Sequence, residues 1–245
     1  MNQEVHEAGP VGAQVLSVFD FDGTLTRHDS FVPFLLFAFG KRAFFIRMIR
    51  MIPSVARFLT NGVTRDELKA TLIASFLTGV REDWLMEQAV KFREAFWIRL
   101  MRPTGLKSVA AEVASGARVT ICSASPSLVI NPFAIQLGIH LIGTELEVKD
   151  GLLTGNISGS NCRCEAKVRR LEAVYGDLSR YRLRAWGDTR GDHELLAAAQ
   201  DAHWRHFHPS WRRGRFRIEK IGSRVQSKEP MNSVTGVPGE GRDKK

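Results

Sequence analysis

Short apolar runs alternate with turn residues at three places in this chain. Val15-Leu16-Ser17-Val18-Phe19, Val119-Thr120-Ile121-Cys122 and Leu183-Arg184-Ala185-Trp186 each read as a short strand, β-branched or aromatic in character. The long segment between the first two runs, residues 31–102, has helical character throughout, with breaks near Gly40, Pro53, Asn61-Gly62 and Gly79. Thr64-Arg65-Asp66-Glu67 has the capping-box pattern and starts a helix at about Arg65. Glu82 to Leu100 is a further amphipathic stretch that Pro103 ends. Lys167-Val168-Arg169-Arg170-Leu171-Glu172-Ala173-Val174 reads as helix as well.

Polar residues with chemical potential follow the strands. Asp20-Phe21-Asp22-Gly23-Thr24 comes straight after the first, at the carboxyl end where open α/β sheets place their chemistry. Asp20 and Asp22 share one face of a continuing strand, and Gly23 lets the chain turn away. Two converging acids repel unless a cation or a proton lies between them, so the pair suits Mg²⁺ and a carboxylate nucleophile, or else forms an acidic turn. Ser123-Ala124-Ser125-Pro126 follows the second strand, with Ser125 fit for an N-cap and Pro126 for a first helical turn; such a start either cradles phosphate or simply caps a helix. Lys167 sits early in its helix, against the macrodipole, and suits an anionic partner or a solvated position. Gly187-Asp188-Thr189-Arg190-Gly191-Asp192 closes the third strand, and its acids suit a hard cation or an ordinary turn.

The order acid pair, serine, lysine, acid pair resembles the four motifs of the haloacid dehalogenase (HAD) superfamily, over about residues 14–208. The helical segment between the first two motifs resembles the subclass of phosphoserine phosphatase. The approach Asn161-Cys162-Arg163-Cys164-Glu165-Ala166-Lys167, with the basic, apolar start of the insert, resembles a bacterial group related to phosphatidylglycerophosphatase C. The resemblance implies an α/β fold: a doubly wound parallel sheet at 14–30 and 103–208, with a helical cap at 31–102. It implies a Mg²⁺-dependent phosphomonoesterase. Asp20 is then the nucleophile that forms an aspartyl-phosphate, and Asp22 the general acid and base. Asp20, the backbone carbonyl of Asp22, and Asp188 hold the metal, with Asp192 binding a metal-bound water or orienting Lys167. Ser123 and Lys167 hold the phosphoryl oxygens, and Thr24 adds a hydroxyl. Asp29 stands where an acid in phosphoserine phosphatases meets the substrate amine. Arg27 and His28 are near enough in sequence to reach a substrate or to be solvated.

The chain's 245 residues suffice for such a core with one inserted cap. Its three cysteines make no disulfide framework, and no second pair completes a metal site with Cys162 and Cys164. No signal-like opening is seen, which favours a reducing cytoplasmic setting, and residues 1–13 read as a disordered lead-in. Much of the formal charge of +9 sits in the tail, 209–245, where Trp211-Arg212-Arg213-Gly214-Arg215-Phe216-Arg217 mixes bases with aromatics. This tail suits solvent, an anionic membrane or RNA, though no nucleic-acid fold motif accompanies it. His203, His206 and His208 suit a metal site or simply flank the last core strand. The cap's start is apolar and carries no acid between Asp29 and Asp66, against Lys41, Arg42, Arg47, Arg50, Arg57 and Arg65. It suits peripheral contact with an anionic membrane, or a helix pair packed on the core with solvated arginines. The substrate expectation is therefore a lipid phosphate such as phosphatidylglycerophosphate, or a small soluble ester like phosphoserine. A catalytically quiet protein that binds membrane or RNA is the contrasting reading.

Overall fold

The computed structural model describes residues 13–209 apart from 54, 55, 57–59, 61 and 63. The lead-in before residue 13, the basic tail from residue 210, Arg57 and the Asn61 break lie outside the described residues.

The described residues form seven strands and seven α-helices, besides three short helical turns: β1 (Gln14–Phe19), α1 (Phe31–Arg50), α2 (Arg65–Leu77), α3 (Glu82–Leu100), α4 (Pro103–Ala114), β2 (Arg118–Pro126), α5 (Ser127–Leu137), β3 (His140–Thr144), β4 (Leu146–Lys149), β5 (Leu152–Ile157), α6 (Glu165–Tyr175), β6 (Tyr181–Gly187), α7 (His193–Ala198) and β7 (Asp201–Trp204). β1 is central in a parallel sheet of order β3-β2-β1-β6-β7. Alternation along the strands explains the two layers of helices. Phe19, Val119, Ile121 and Trp186 feed the apolar cluster shared with α4, α5 and the insert. Leu16, Val18, Cys122, Leu183 and Ala185 feed the opposite cluster, shared with α6 and α7. Trp186 is stacked between Phe19 at 4.1 Å and His203 at 4.5 Å.

Helices α1, α2 and α3 fall between β1 and β2. The Thr64 capping box forms as expected, with Glu67 returning to the Thr64 backbone amide. Pro103 does not end α3; it opens α4 at the first position, where its missing N–H costs nothing. The antiparallel hairpin β4-β5 is an unforeseen element. It packs on α2, and a Cβ at Gly155 (φ +88°) would fall 2.1 Å from Thr78 Oγ1. Gly79 N donates to Leu153 O, and Leu153 N to Val80 O, so the hairpin and the insert are joined by backbone hydrogen bonds. Cys122 and Cys162 are buried free thiols 3.7 Å apart, and Cys164 occupies a left-handed position before α6.

Candidate active site

The carboxyl ends of β1, β2 and β6 meet where the chain leaves the central strand in both directions, the switch point at which α/β sheets form crevices. Asp20 continues the ladder by donating its amide to Trp186 O. The chain then turns through Phe21–Leu25, with Gly23 at φ +84°. A Cβ there would lie 2.5 Å from Asp188 Oδ2, so only glycine lets this turn approach the β6 loop so closely. Gly23 O accepts from His208 Nε2 at 2.9 Å and Arg102 Nη2 at 3.3 Å, which pins the turn to both ends of the core.

Asp20, Asp188 and Asp192 bring carboxylate oxygens within 4.8 Å of one another. Lys167, only 1 % exposed, donates to Asp20 Oδ1 at 2.6 Å and Asp192 Oδ1 at 2.5 Å. The lysine stays charged despite burial because these two acids hold its pKa well above the ordinary value. Burial alone would raise Asp192, but the Lys167 charge and hydrogen bonds from Lys167 and Thr189 hold it low. Asp192 Oδ2 accepts from Thr189 N and Thr189 Oγ1 at 3.0 and 2.9 Å, so the carboxylate that meets Lys167 is itself fixed by the loop after β6. Burial, then the charge of Asp192, pushes Asp20 up against the pull of Lys167. The same causes raise Asp188 to about 6.

Asp22 is wired differently. Its oxygens accept from Ser30 N at 2.7 Å and from the Ser125 hydroxyl, and among the described residues no cation pairs with it. Burial, then the charge of Asp29, raises it to about 6. Its carboxylate stands apart from the Asp20-Asp188-Asp192 trio, leaving only its backbone for the metal contact expected from sequence. Ser123 is buried, and its Oγ accepts from Ser125 N at 3.1 Å. Thr24 donates to Asp188 Oδ1 at 3.2 Å; it is buried and does not line the cavity.

A cavity of about 430 Å³ opens on these groups. Asp20, Asp22, Ser123, Lys167 and Asp192 lie at its floor, while Phe31, Val32, Met48, Met51, Leu68 and Leu72 give it an apolar wall. Asp29 lines the mouth and accepts from Val32 N at 3.0 Å. Arg27 is exposed and is not among the lining residues. Sequence reasoning missed three groups. Ser125 is not an N-cap: β2 runs to Pro126, α5 starts at Ser127, and the hydroxyl serves Asp22. The Ser123-x-Ser125 period of two was the available signal. Lys69 and Asn161 also line the cavity, brought there by α2 and the loop before α6, and no local spacing announces them.

The donor set fits a divalent cation. Three carboxylates bring hard oxygen ligands together, Lys167 pairs with only two of them, and burial and then the charge of Asp192 push Asp20 and Asp188 upward. Residues 17–197 match the haloacid dehalogenase-like hydrolase family. The chain belongs to that family. Protein CicA of Caulobacter vibrioides, from two strains, is 40 % identical over 202 residues, covering 81 % of this chain and 90 % of CicA. A protein of unknown function from Bordetella pertussis Tohama I has the same fold, with TM-score 0.67 and 23 % identity over 77 % of this chain and 88 % of that one. A phosphoserine phosphatase captured as a phospho-aspartyl intermediate analogue shares the fold at TM-score 0.53 and 18 % identity, over 77 % and 84 % of the two chains. In this HAD-like hydrolase Asp20 directly follows β1 and Asp188 directly follows β6.

Proposed function

We propose that this hydrolase is a phosphomonoesterase in which Asp20 is the nucleophile and Asp22 the general acid and base. The observation that carries the reading is the unequal wiring of two acids at one cavity floor. Asp20 contacts an ammonium, whose charge favours the ionised nucleophile against the rise that burial and Asp192 impose. Asp22 contacts a hydroxyl and an amide and is raised to about 6, so roughly a tenth of it is protonated at neutral pH. Asp20 attacks phosphorus in line, the ester P–O bond breaks, and the proton of Asp22 goes to the leaving oxygen. Asp22 then takes a proton from the water that opens the aspartyl-phosphate, which restores both acids. Lys167 and Ser123 hold phosphoryl oxygens, and Asp192 keeps Lys167 in place. Asp20, the Asp22 carbonyl and Asp188 would hold Mg²⁺, and the bound cation supplies charge neutralisation between nucleophile and phosphate. Helices α1–α3 act as a cap that keeps bulk water from the cavity.

The substrate we favour is a lipid phosphate at an anionic membrane surface. The apolar wall supports an apolar leaving group. So does the outer face of α1, where Phe45 and Ile49 are 59 and 64 % exposed, with Ile52 just past its end 60 % exposed, beside exposed Lys41, Arg42 and Arg50. Arg47 does not join that face; it donates to Phe76 O and lies over the rings of Phe39 and Phe76. Among the described residues no helix is long and apolar enough to cross a membrane. Asp29 at the mouth supports the second reading, a small ester with an amine. The test is Mg²⁺-dependent phosphate release from phosphatidylglycerophosphate in mixed micelles and from soluble esters, with Asp20→Asn as control. Preference for a soluble ester would overturn the lipid reading, and an active Asp20→Asn would overturn the mechanism.

A further inference from the structure

We infer that Lys69 is a specificity-determining residue whose ammonium seats a second oxyanion, one carried by the leaving group of the phosphomonoester. The inference rests on the reading that Asp22 serves the leaving oxygen. Lys69 projects from α2 into the cavity, where its ammonium contacts Ala124 O and, at 3.3 Å, Asn161 Oδ1. Both partners are neutral. Of the other cations that line the cavity, Lys167 holds Asp20 and Asp192 and Arg163 faces Asp66 at 4.0 Å, while Arg65 is exposed to solvent. Among the described residues no carboxylate comes within ion-pair distance of Lys69; Asp22, Asp29 and Asp66 act on it from further away.

A partly buried ammonium that meets only carbonyl oxygens has lost hydration without gaining a counter-ion. Its pKa is accordingly pushed down to about 8 by burial, against the pull of those three acids. An entering oxyanion removes that deficit, so the site gains more from an anionic ligand than from a neutral one.

Position assigns the anion to the leaving group. Ala124 lies between Ser123 and Ser125, and the Ser125 hydroxyl holds Asp22. Lys69 therefore sits on the Asp22 side of the floor, and Lys167 on the Asp20 side. The ammonium is also held in place rather than waving in solvent. Asn161 is fixed by Thr144 Oγ1 at 2.8 Å and by its own donation to Asp66 Oδ1 at 2.6 Å.

The experiment compares matched phosphoesters that differ in one charge. Glycerol 3-phosphate leaves as a neutral alcohol, and 3-phosphoglycerate leaves as a carboxylate. Lys69→Met is expected to raise KM for 3-phosphoglycerate by about tenfold to a hundredfold, with kcat and the KM for glycerol 3-phosphate little changed. Lys69→Arg should recover much of the loss. Phosphatidic acid and phosphatidylglycerophosphate in mixed micelles form a second pair, whose leaving groups are neutral and phosphodiester respectively. The pair that shows the larger Lys69→Met effect identifies the oxyanion as carboxylate or phosphodiester. Equal KM increases within both pairs would place Lys69 on the transferred phosphoryl and overturn the inference, as would no change in either. Calorimetric titration of Asp20→Asn and Asp20→Asn/Lys69→Met with the soluble pair and Mg²⁺ reads the same discrimination without turnover. A wild-type protein that hydrolyses none of these esters defeats the phosphatase reading, and the titration still decides for or against the anion seat.

Discussion

Replacing Asp188 with Asn should stabilise the metal-free protein while removing its response to Mg²⁺. The carboxyl is raised from 3.8 to about 6, first by burial and then by the charge of Asp192, and its side chain is only 12 % exposed. Two pKa units correspond to about 3 kcal/mol between the protonation states. The sign follows from the direction of the shift. A carboxyl raised in the folded state contributes fully below its unfolded pKa, and the contribution is lost as pH rises through about 6. Asparagine has no charge to lose and its amide oxygen can still accept from Thr24, so about 2 kcal/mol of the penalty should vanish at about pH 8. Near pH 4 the two proteins should be almost equally stable. Urea denaturation in chelator across that pH range measures the difference; Asp22, raised to about 6 as well, leaves a residual pH slope in the variant. Added Mg²⁺ should then raise the midpoint of the wild type by mass action and leave Asp188→Asn nearly unmoved. An Asp188→Asn protein less stable than wild type at about pH 8 without metal, or one with an undiminished Mg²⁺ response, would refute the argument that repulsion stored at this site is what the cation relieves.

Asp20→Asn should abolish phosphate release while keeping the wild-type circular-dichroism spectrum, since the amide can still face Lys167. Ser125→Ala removes the hydroxyl that pulls Asp22 down, so the alkaline limb of the kcat/KM profile should move to higher pH; an unmoved limb would exclude Asp22 as the acid. Gly155→Val, at φ +88° with its Cβ driven onto Thr78 and Ala74, should cost about 1–3 kcal/mol in denaturant titrations, and a neutral result would mean the hairpin is not tightly joined to α2. Ile49→Ser with Ile52→Ser should weaken sedimentation with anionic vesicles and leave hydrolysis of a soluble ester intact, because both side chains are exposed away from the cavity.

What could be read from the sequence was local. Each strand of the central trio announced itself by a short apolar run, and each acid or hydroxyl directly after such a run was carried to the same sheet edge by the parallel topology. Asp20, Ser123 and Asp188 were legible for that reason, and Lys167 and Asp192 by the motif order. Ser125 was misassigned because Ser-Pro before an apolar stretch is also a helix start; only the position of Asp22 across the crevice decides where its hydroxyl goes. The β4-β5 hairpin escaped because Leu146–Lys149 is short and mostly exposed, and its partner strand is needed before the pattern has meaning. Lys69 escaped for a related reason. On α2 it follows Asp66 and Glu67 at ordinary helical spacing, as a solvated lysine would. Its environment is made by residues 55 and 92 positions away, and these take the lysine out of water without giving it an acid. The core's chemistry is thus written beside its strands, whereas the choice of substrate is written in the juxtaposition of insert and core. Long-range contacts of that kind leave no periodicity to detect, so the reaction can be read from this chain sooner than the molecule on which it acts.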